Sequence, residues 1–273
     1  MHQRHLVNKQ QLLHLPDTAG KTLQWYSNDM QDRFERNRHK VDPYYLNLDI
    51  SYDFNSAGYR TAEFDQFKPD EFFVAMGCSY TVGEGLLQSD RWSDQLSALI
   101  GLADMNLGIS GGSIDLIMFN CINYVNSDMP KPNFVVIQLP ELTRRMDWIR
   151  DDTVYCQIAP NSDTEFEQFY SGIADQNDKP VLLTPVINSA YYCEIITYYW
   201  RSVGVPVYFW CFSGDADMIN SHCDVDIWSV PHDYPDIKWP GDQARDCAHD
   251  GKGANAVAAK IIHKHLMEKQ NER

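Results

Sequence analysis

Hydrophobic positions in this chain change their spacing near residue 70. Before it, polar and aromatic residues mix without a sustained period; after it, short apolar runs take turns with stretches whose apolar residues recur every three or four positions. The first run, Phe72-Phe73-Val74-Ala75-Met76, ends at Gly77 and predicts a strand buried on both faces, as in parallel sheets covered by helices. Trp92, Leu96 and Leu99 then predict a helix, with Asp90 as its expected N-cap and Gly101 as its stop. Asp104 to Gly108 reads as a short strand, and Ile109-Ser110-Gly111-Gly112-Ser113 as a glycine turn. Ser113 opens a helix on Leu116, Ile117, Cys121, Ile122 and Val125. After Pro130 and Pro132 comes a strand over Phe134 to Leu139. The acidic stretch 151–178 predicts a loop with a short helix around Glu165 to Ala174. A long helix follows Pro180, with Tyr191, Ile195, Ile196, Tyr199 and Trp200 as its expected apolar positions, and stops at Gly204. Val205 to Phe212 reads as a strand, 221–245 as loop, and Ala254 to Met267 as a terminal helix on Val257, Ile261, Ile262 and Leu266.

Strands alternating with helices of this length predict a parallel sheet with helices on both faces. The expected fold is a three-layer α/β/α sandwich with a mainly parallel, flavodoxin-like central sheet, spanning residues 71–273. Residues 1–70 are expected to form an N-terminal extension packed on that domain. Inside the extension, Ile50 to Arg60 alternates and then reaches Asn55-Ser56-Ala57-Gly58, which predicts an edge strand and a turn.

Composition narrows the function classes. Lys and Arg total 23 against 38 for Asp and Glu, a formal net charge of −15, which argues against nucleic-acid and anionic-membrane binding. The seven cysteines are scattered with no C-x-x-C pair, so neither a disulfide framework nor a zinc ribbon is indicated. His222, Cys223, Asp224 and Asp226 match no familiar metal-site spacing, and no metal or organic cofactor is expected. The first residues lack the apolar core of a signal peptide, and no uncharged run reaches the ~18 residues of a membrane span. A soluble, cytoplasmic protein is the expectation, with a phage particle as the alternative setting.

Candidate chemistry gathers at strand ends, where open α/β sheets place their ligand sites. Ser79 follows the first strand directly and is the candidate nucleophile; a serine there can equally cap the next helix. Serine hydrolysis also requires a histidine base, a carboxylate that orients it and donors for the oxyanion. His249, three residues after Asp246 and just before the last helix, supplies the candidate base and its carboxylate.

Taken together, these residues resemble a known family. Gly77-Cys78-Ser79-Tyr80-Thr81-Val82-Gly83 is similar to the nucleophile block of the SGNH (GDSL-type) hydrolases, with Cys78 where the family usually carries Asp. Asp246-x-x-His249 resembles their C-terminal block. Asn106-Leu107-Gly108-Ile109-Ser110-Gly111-Gly112 resembles the second block, in which the resemblance makes Gly111 an oxyanion donor. Phe54 to Arg60 is similar to an element that precedes the nucleophile strand in bacterial and phage-encoded relatives. The third block departs, because Leu139-Pro140-Glu141-Leu142-Thr143-Arg144-Arg145 has no asparagine. Thr143 or Arg144 is the candidate replacement donor, and Arg144 is alternatively a binder of an acidic substrate group or, like Arg145, a surface ion-pair residue. Trp228 and Trp239, with Tyr234, are candidate walls of an acyl or sugar pocket.

The resemblance implies an esterase that forms an acyl-enzyme on Ser79, with a small ester or acylated carbohydrate as substrate and carbohydrate O-deacetylation as a candidate reaction. Two readings stand beside it: an O-acyltransferase, and a non-catalytic glycan-binding or phage-particle protein that keeps the fold.

Overall fold

The computed structural model describes residues 12–142, 144–149, 153–157, 183–212, 215–230 and 238–271. In chain order, a short antiparallel pair β1 (Thr22–Leu23) and β2 (Tyr52–Asp53) brackets helix α1 (Gln31–Asn37). Then follow β3 (Phe72–Met76), α2 (Ser79–Val82), α3 (Trp92–Ile100), β4 (Ala103–Asn106), α4 (Ile114–Val125) and β5 (Val135–Gln138). The antiparallel hairpin β6 (Arg145–Ile149) and β7 (Thr153–Gln157) leads on to α5 (Leu183–Ser202), β8 (Val207–Cys211), α6 (Asp215–Asn220), β9 (Ile227–Ser229) and α7 (Lys252–Asn271).

Among the described residues, β4-β3-β5-β8-β9 is the order of a five-stranded sheet in which every neighbouring pair is parallel. This is the flavodoxin-like order, with its switch point at β3 and β5. Successive side chains of β3 go to opposite faces. Phe72, Val74 and Met76 join a core with Leu116, Cys121, Ile196 and Trp200 from α4 and α5. Phe73 and Ala75 pack on the other face with Trp92, Leu96, Ala258 and Ile262 from α3 and α7. The sheet is thus covered twice, which is why β3 reads as an unbroken apolar run rather than an alternating one.

Several expectations are corrected. The N-cap of α3 is Arg91, while Asp90 sits in the preceding turn; the Trp92 N–H is capped instead by Asn255 Oδ1 of α7 at 3.0 Å. Thr153–Gln157 lies in the stretch expected as loop but is a strand, because β6 supplies a ladder from Arg145↔Gln157 to Ile149↔Thr153. The short helix expected around Glu165 to Ala174 falls outside the described residues. Ile227–Ser229, also expected as loop, is an edge strand parallel to β8, too short to show a period. On α5, Tyr191 and Ile195 face outward while Cys193, Ile196 and Trp200 carry the buried side. The strand expected in the extension pairs with β1 in a ladder of its own rather than joining the edge of the central sheet.

Residues 12–70 lie on this scaffold in two ways. Leu13, Leu15 and Tyr59 join the α4–α5 core. Phe34, Val41, Tyr45, Ile50, Tyr52 and Phe54 form a separate apolar cluster over Leu86 and Ala244, residues of the two loops that carry the candidate chemistry. Among the described residues, no helix is long and apolar enough to cross a membrane.

Candidate active site

Ser79 is the first residue of α2, directly beyond the carboxyl end of β3 at the switch point. The turn is tight enough to require glycine: a Cβ on Gly77 would sit 2.1 Å from Thr81 Oγ1 and 2.8 Å from Gln138 Oε1. Gln138, at the end of β5, accepts the Cys78 N–H at 3.3 Å and the Thr81 hydroxyl at 3.4 Å, so the neighbouring strand fixes the shape of the turn. Cys78 is the N-cap of α2, without a side-chain cap bond. Ser79 does not cap either. Its hydroxyl donates to His249 Nε2 at 2.7 Å, across 170 residues of sequence.

The loop Asp246-Cys247-Ala248-His249 is held from within. Asp246 Oδ1 accepts the N–H of Ala248 at 3.0 Å and of His249 at 3.1 Å, and Cys247 takes a left-handed φ of 54° to close the bend. Asp246 Oδ2 accepts the proton of His249 Nδ1 at 2.5 Å, which leaves Nε2 to accept from Ser79. Burial by itself pulls the His249 pKa down; the Asp246 hydrogen bond and charge, with the charge of Glu84, outweigh it and hold it above 6.5. Asp246 moves the opposite way: burial alone would raise it, but the bonds from His249 and the backbone keep it below 3.8.

Gly111 has φ 66° in the turn after β4, and Ile109 of the same turn donates its N–H to Gly77 O at 3.0 Å. The turn therefore sits against the nucleophile. Among the described residues, neither the Gly111 nor the Ser79 N–H has an acceptor, so both are open to a developing oxyanion. Of the third-block segment, Leu142 is buried in the core, and Thr143 lies outside the described residues. Arg144 is close enough for its charge to act on both His249 and Tyr80. Its Nε lies 3.5 Å from Glu141, yet among the described residues the buried Nε and Nη1 have no hydrogen-bond partner. Arg145 is the first residue of β6 and mostly exposed.

The two tryptophans separate. Trp228 is a core residue, 4% exposed, with its ring 3.5 Å from that of His265 on α7, so the expectation that it lines a pocket is corrected: β9 turns it into the layer beneath the sheet. Trp239 packs on Phe212 at 5.7 Å, Phe212 on Tyr80 at 4.7 Å, and Tyr80 on His249 at 4.7 Å between ring centroids. That row leads from the surface to the base; Tyr80 and Phe212 carry no signal in the sequence beyond being aromatic. Tyr234 lies outside the described residues.

Two further groups escape a reading by motif. Asp29, from the N-terminal segment, is buried against Arg245 at 2.5 Å and also accepts the Tyr52 hydroxyl at 2.6 Å. Glu84, also fully buried, offers an oxygen within 4.8 Å of donor atoms on Asp246 and His249. Two carboxylates and a histidine in that space are a donor set for a divalent cation. Here both imidazole nitrogens are already engaged, by Ser79 and Asp246.

No protein-family model and no curated protein matches the sequence. Solved structures are similar in fold. A protein described as a lipolytic member of the G-D-S-L family, from Desulfitobacterium hafniense DCB-2, aligns at 11% identity and TM-score 0.44 over 71% of this chain and 99% of its own. An acetyl xylan esterase from the rumen bacterium Butyrivibrio proteoclasticus aligns at 12% identity and TM-score 0.42, over 74% of this chain and 65% of its own. The SGNH-hydrolase family esterase AlinE4 aligns at 13% identity and TM-score 0.37, over 74% of this chain and 98% of its own. Identities this low carry no residue roles across.

Proposed function

We propose that this chain is a serine hydrolase of SGNH type that cleaves a small carboxylic ester through an acyl-enzyme on Ser79. The observation that supports it most is the line Ser79 Oγ, His249 Nε2 at 2.7 Å, His249 Nδ1, Asp246 Oδ2 at 2.5 Å, at the carboxyl end of the central strand. Ser79 attacks the ester carbonyl as His249 Nε2 takes the hydroxyl proton, and Asp246 holds the imidazolium that forms. The N–H groups of Ser79 and Gly111 receive the negative oxygen. Collapse of the tetrahedral intermediate expels the alkoxide, which takes its proton from His249; water then attacks the acyl-enzyme by the same steps in reverse. Transfer to a sugar hydroxyl shares the acyl-enzyme and differs only in the acceptor. An acylated carbohydrate is the substrate class we favour, because the half-buried aromatic row of Trp239, Phe212 and Tyr80 leads to His249 and sugar faces pack on such rings.

A fluorophosphonate probe tests the assignment. Labelling located at Ser79 by mass spectrometry, and lost in Ser79→Ala, is the expected result. Labelling of Cys78, or of no residue, overturns it; tight glycan retention with no ester turned over would favour a non-catalytic role.

A further inference from the structure

Glu84 has no place in the triad, yet it is a fully buried carboxylate facing it. It leaves α2 just after Gly83, whose left-handed conformation ends the helix. Its Oε1 accepts the Ser110 hydroxyl and its Oε2 accepts the Asn28 N–H at 3.1 Å. Because the Ser110 proton is committed to Glu84, the 2.7 Å contact between Ser27 and Ser110 is a donation from Ser27. Each oxygen of the carboxylate is thus held by a donor. Among the described residues it has no ion-pair partner. A buried negative charge beside a second one, Asp246, is unfavourable unless a cation offsets both. Among the described residues, the positive charge that can arise between them is the imidazolium of His249, formed when the ring takes a proton from Ser79 during the reaction or from solvent at low pH.

We propose that Glu84 is a positioning residue: a second counter-charge that acts through His249 by stabilising the imidazolium of the transition state. This deepens the serine-hydrolase reading and rests on it. The titratable and charged groups that face His249 come from every side. Asp246 and Asp250 belong to its own loop, Tyr80 to α2, Glu84 to the loop after α2, and Arg144 to the segment after β5. Glu84 opposes the effect of Arg144, which disfavours the imidazolium.

The test is Glu84→Gln, which keeps the shape and an acceptor oxygen while removing the charge. Two readouts are taken: the pH profile of kcat/KM for a p-nitrophenyl ester, and the titration of the His249 ring by NMR in native and variant protein. With the charge gone, the imidazolium loses a stabilising partner, so the acid limb and the His249 titration both move to lower pH, by about half a unit or more. Plateau turnover falls on the order of 10-fold. Ser110→Ala, which removes the hydrogen bond but keeps the charge, leaves the acid limb in place. An unchanged His249 titration in Glu84→Gln overturns the proposal, as does a Ser110→Ala limb that moves equally far. Should Glu84→Gln fail to fold, a native His249 titrating at or below about 6.5 overturns it too. Absence of probe labelling at Ser79 in native protein would instead remove the hydrolase reading, and the NMR titration would still report on Glu84 and His249.

Discussion

Around Phe73 and Val74 the central strand is packed by apolar side chains alone, whereas the N-terminal segment meets the reactive loops through buried charges as well as an apolar cluster. Arg60 shows the difference. It is 1% exposed, and it donates to Gly83 O at 2.7 Å, Val82 O at 3.2 Å and Leu86 O at 2.9 Å, gripping the carbonyl end of α2. Burial, with the nearby Arg91, lowers its pKa to about 10. Arg245 is held by Asp29 and donates to Gln24 O at 2.8 Å, with its guanidinium 4.0 Å from the Trp25 ring centre. Apolar packing is non-directional and places a strand; directional bonds to charges fix the loops that the strand delivers. The contrast teaches that the sheet locates Ser79 and the segment before it sets the geometry of its partners.

That contrast can be broken at several points. Ser79→Ala removes only the reacting oxygen, so turnover falls on the order of 10⁶-fold while the urea midpoint stays put. A large loss of stability would mean that the hydroxyl is a structural element. Asp29→Ala leaves the Arg245 guanidinium buried without its partner and should cost about 3–5 kcal/mol in urea unfolding, with turnover lowered because Arg245 adjoins Asp246. A change below 1 kcal/mol (roughly the size of an exposed pair) would show that the segment is not fixed by charge. Arg144→Leu should lower kcat about 10 to 1000-fold with a smaller change in KM, as for a contact made in the transition state, and Glu141→Gln should cost less. Equal kcat in Arg144→Leu would return Arg144 to an ion pair with Glu141. Val74→Ala sharpens the other side: about 2 kcal/mol of stability lost by area and cavity, with kcat within twofold.

The smallest effect is in pH. Because the His249 pKa is raised, neutral imidazole accumulates only above the ordinary value of about 6.5, so activity climbs on the alkaline side of that value. The stability linkage runs the other way. A raised histidine stabilises the fold fully below about pH 6.5 and loses that contribution as pH rises through the folded pKa. A kcat/KM profile flat from pH 5 to 9, on protein shown to stay folded, would remove His249 as the base.

Much of this was legible in the chain because the signals are local. The run Phe72 to Met76, the break at Gly77 and the helical spacing of Leu116, Ile117 and Cys121 each lie within a few residues and report burial directly. Asp246 and His249 were readable as a pair because three residues separate them. Trp228 was misread because an aromatic in a proline-rich stretch carries no mark of the side of the sheet it will face. Arg91 displaced Asp90 as a cap because Asn255, far along the chain, reaches the helix end first.

By itself, then, the sequence determined the four strands β3, β4, β5 and β8, the long helices between and after them, and the identity of the three residues that meet at the carboxyl end of the central strand, since periodicity and short motifs are properties of neighbours along the chain. The tertiary structure alone decided that Glu84 lies beside His249, that Asp29 reaches Arg245 across 216 residues, and that the N–H groups of Ser79 and Gly111 have no acceptor among the described residues. Those facts depend on which distant segments share one small, dry volume. Their cost or benefit is electrostatic, and electrostatic energy is fixed by distance in space and by exclusion of water, neither of which is written in the order of residues.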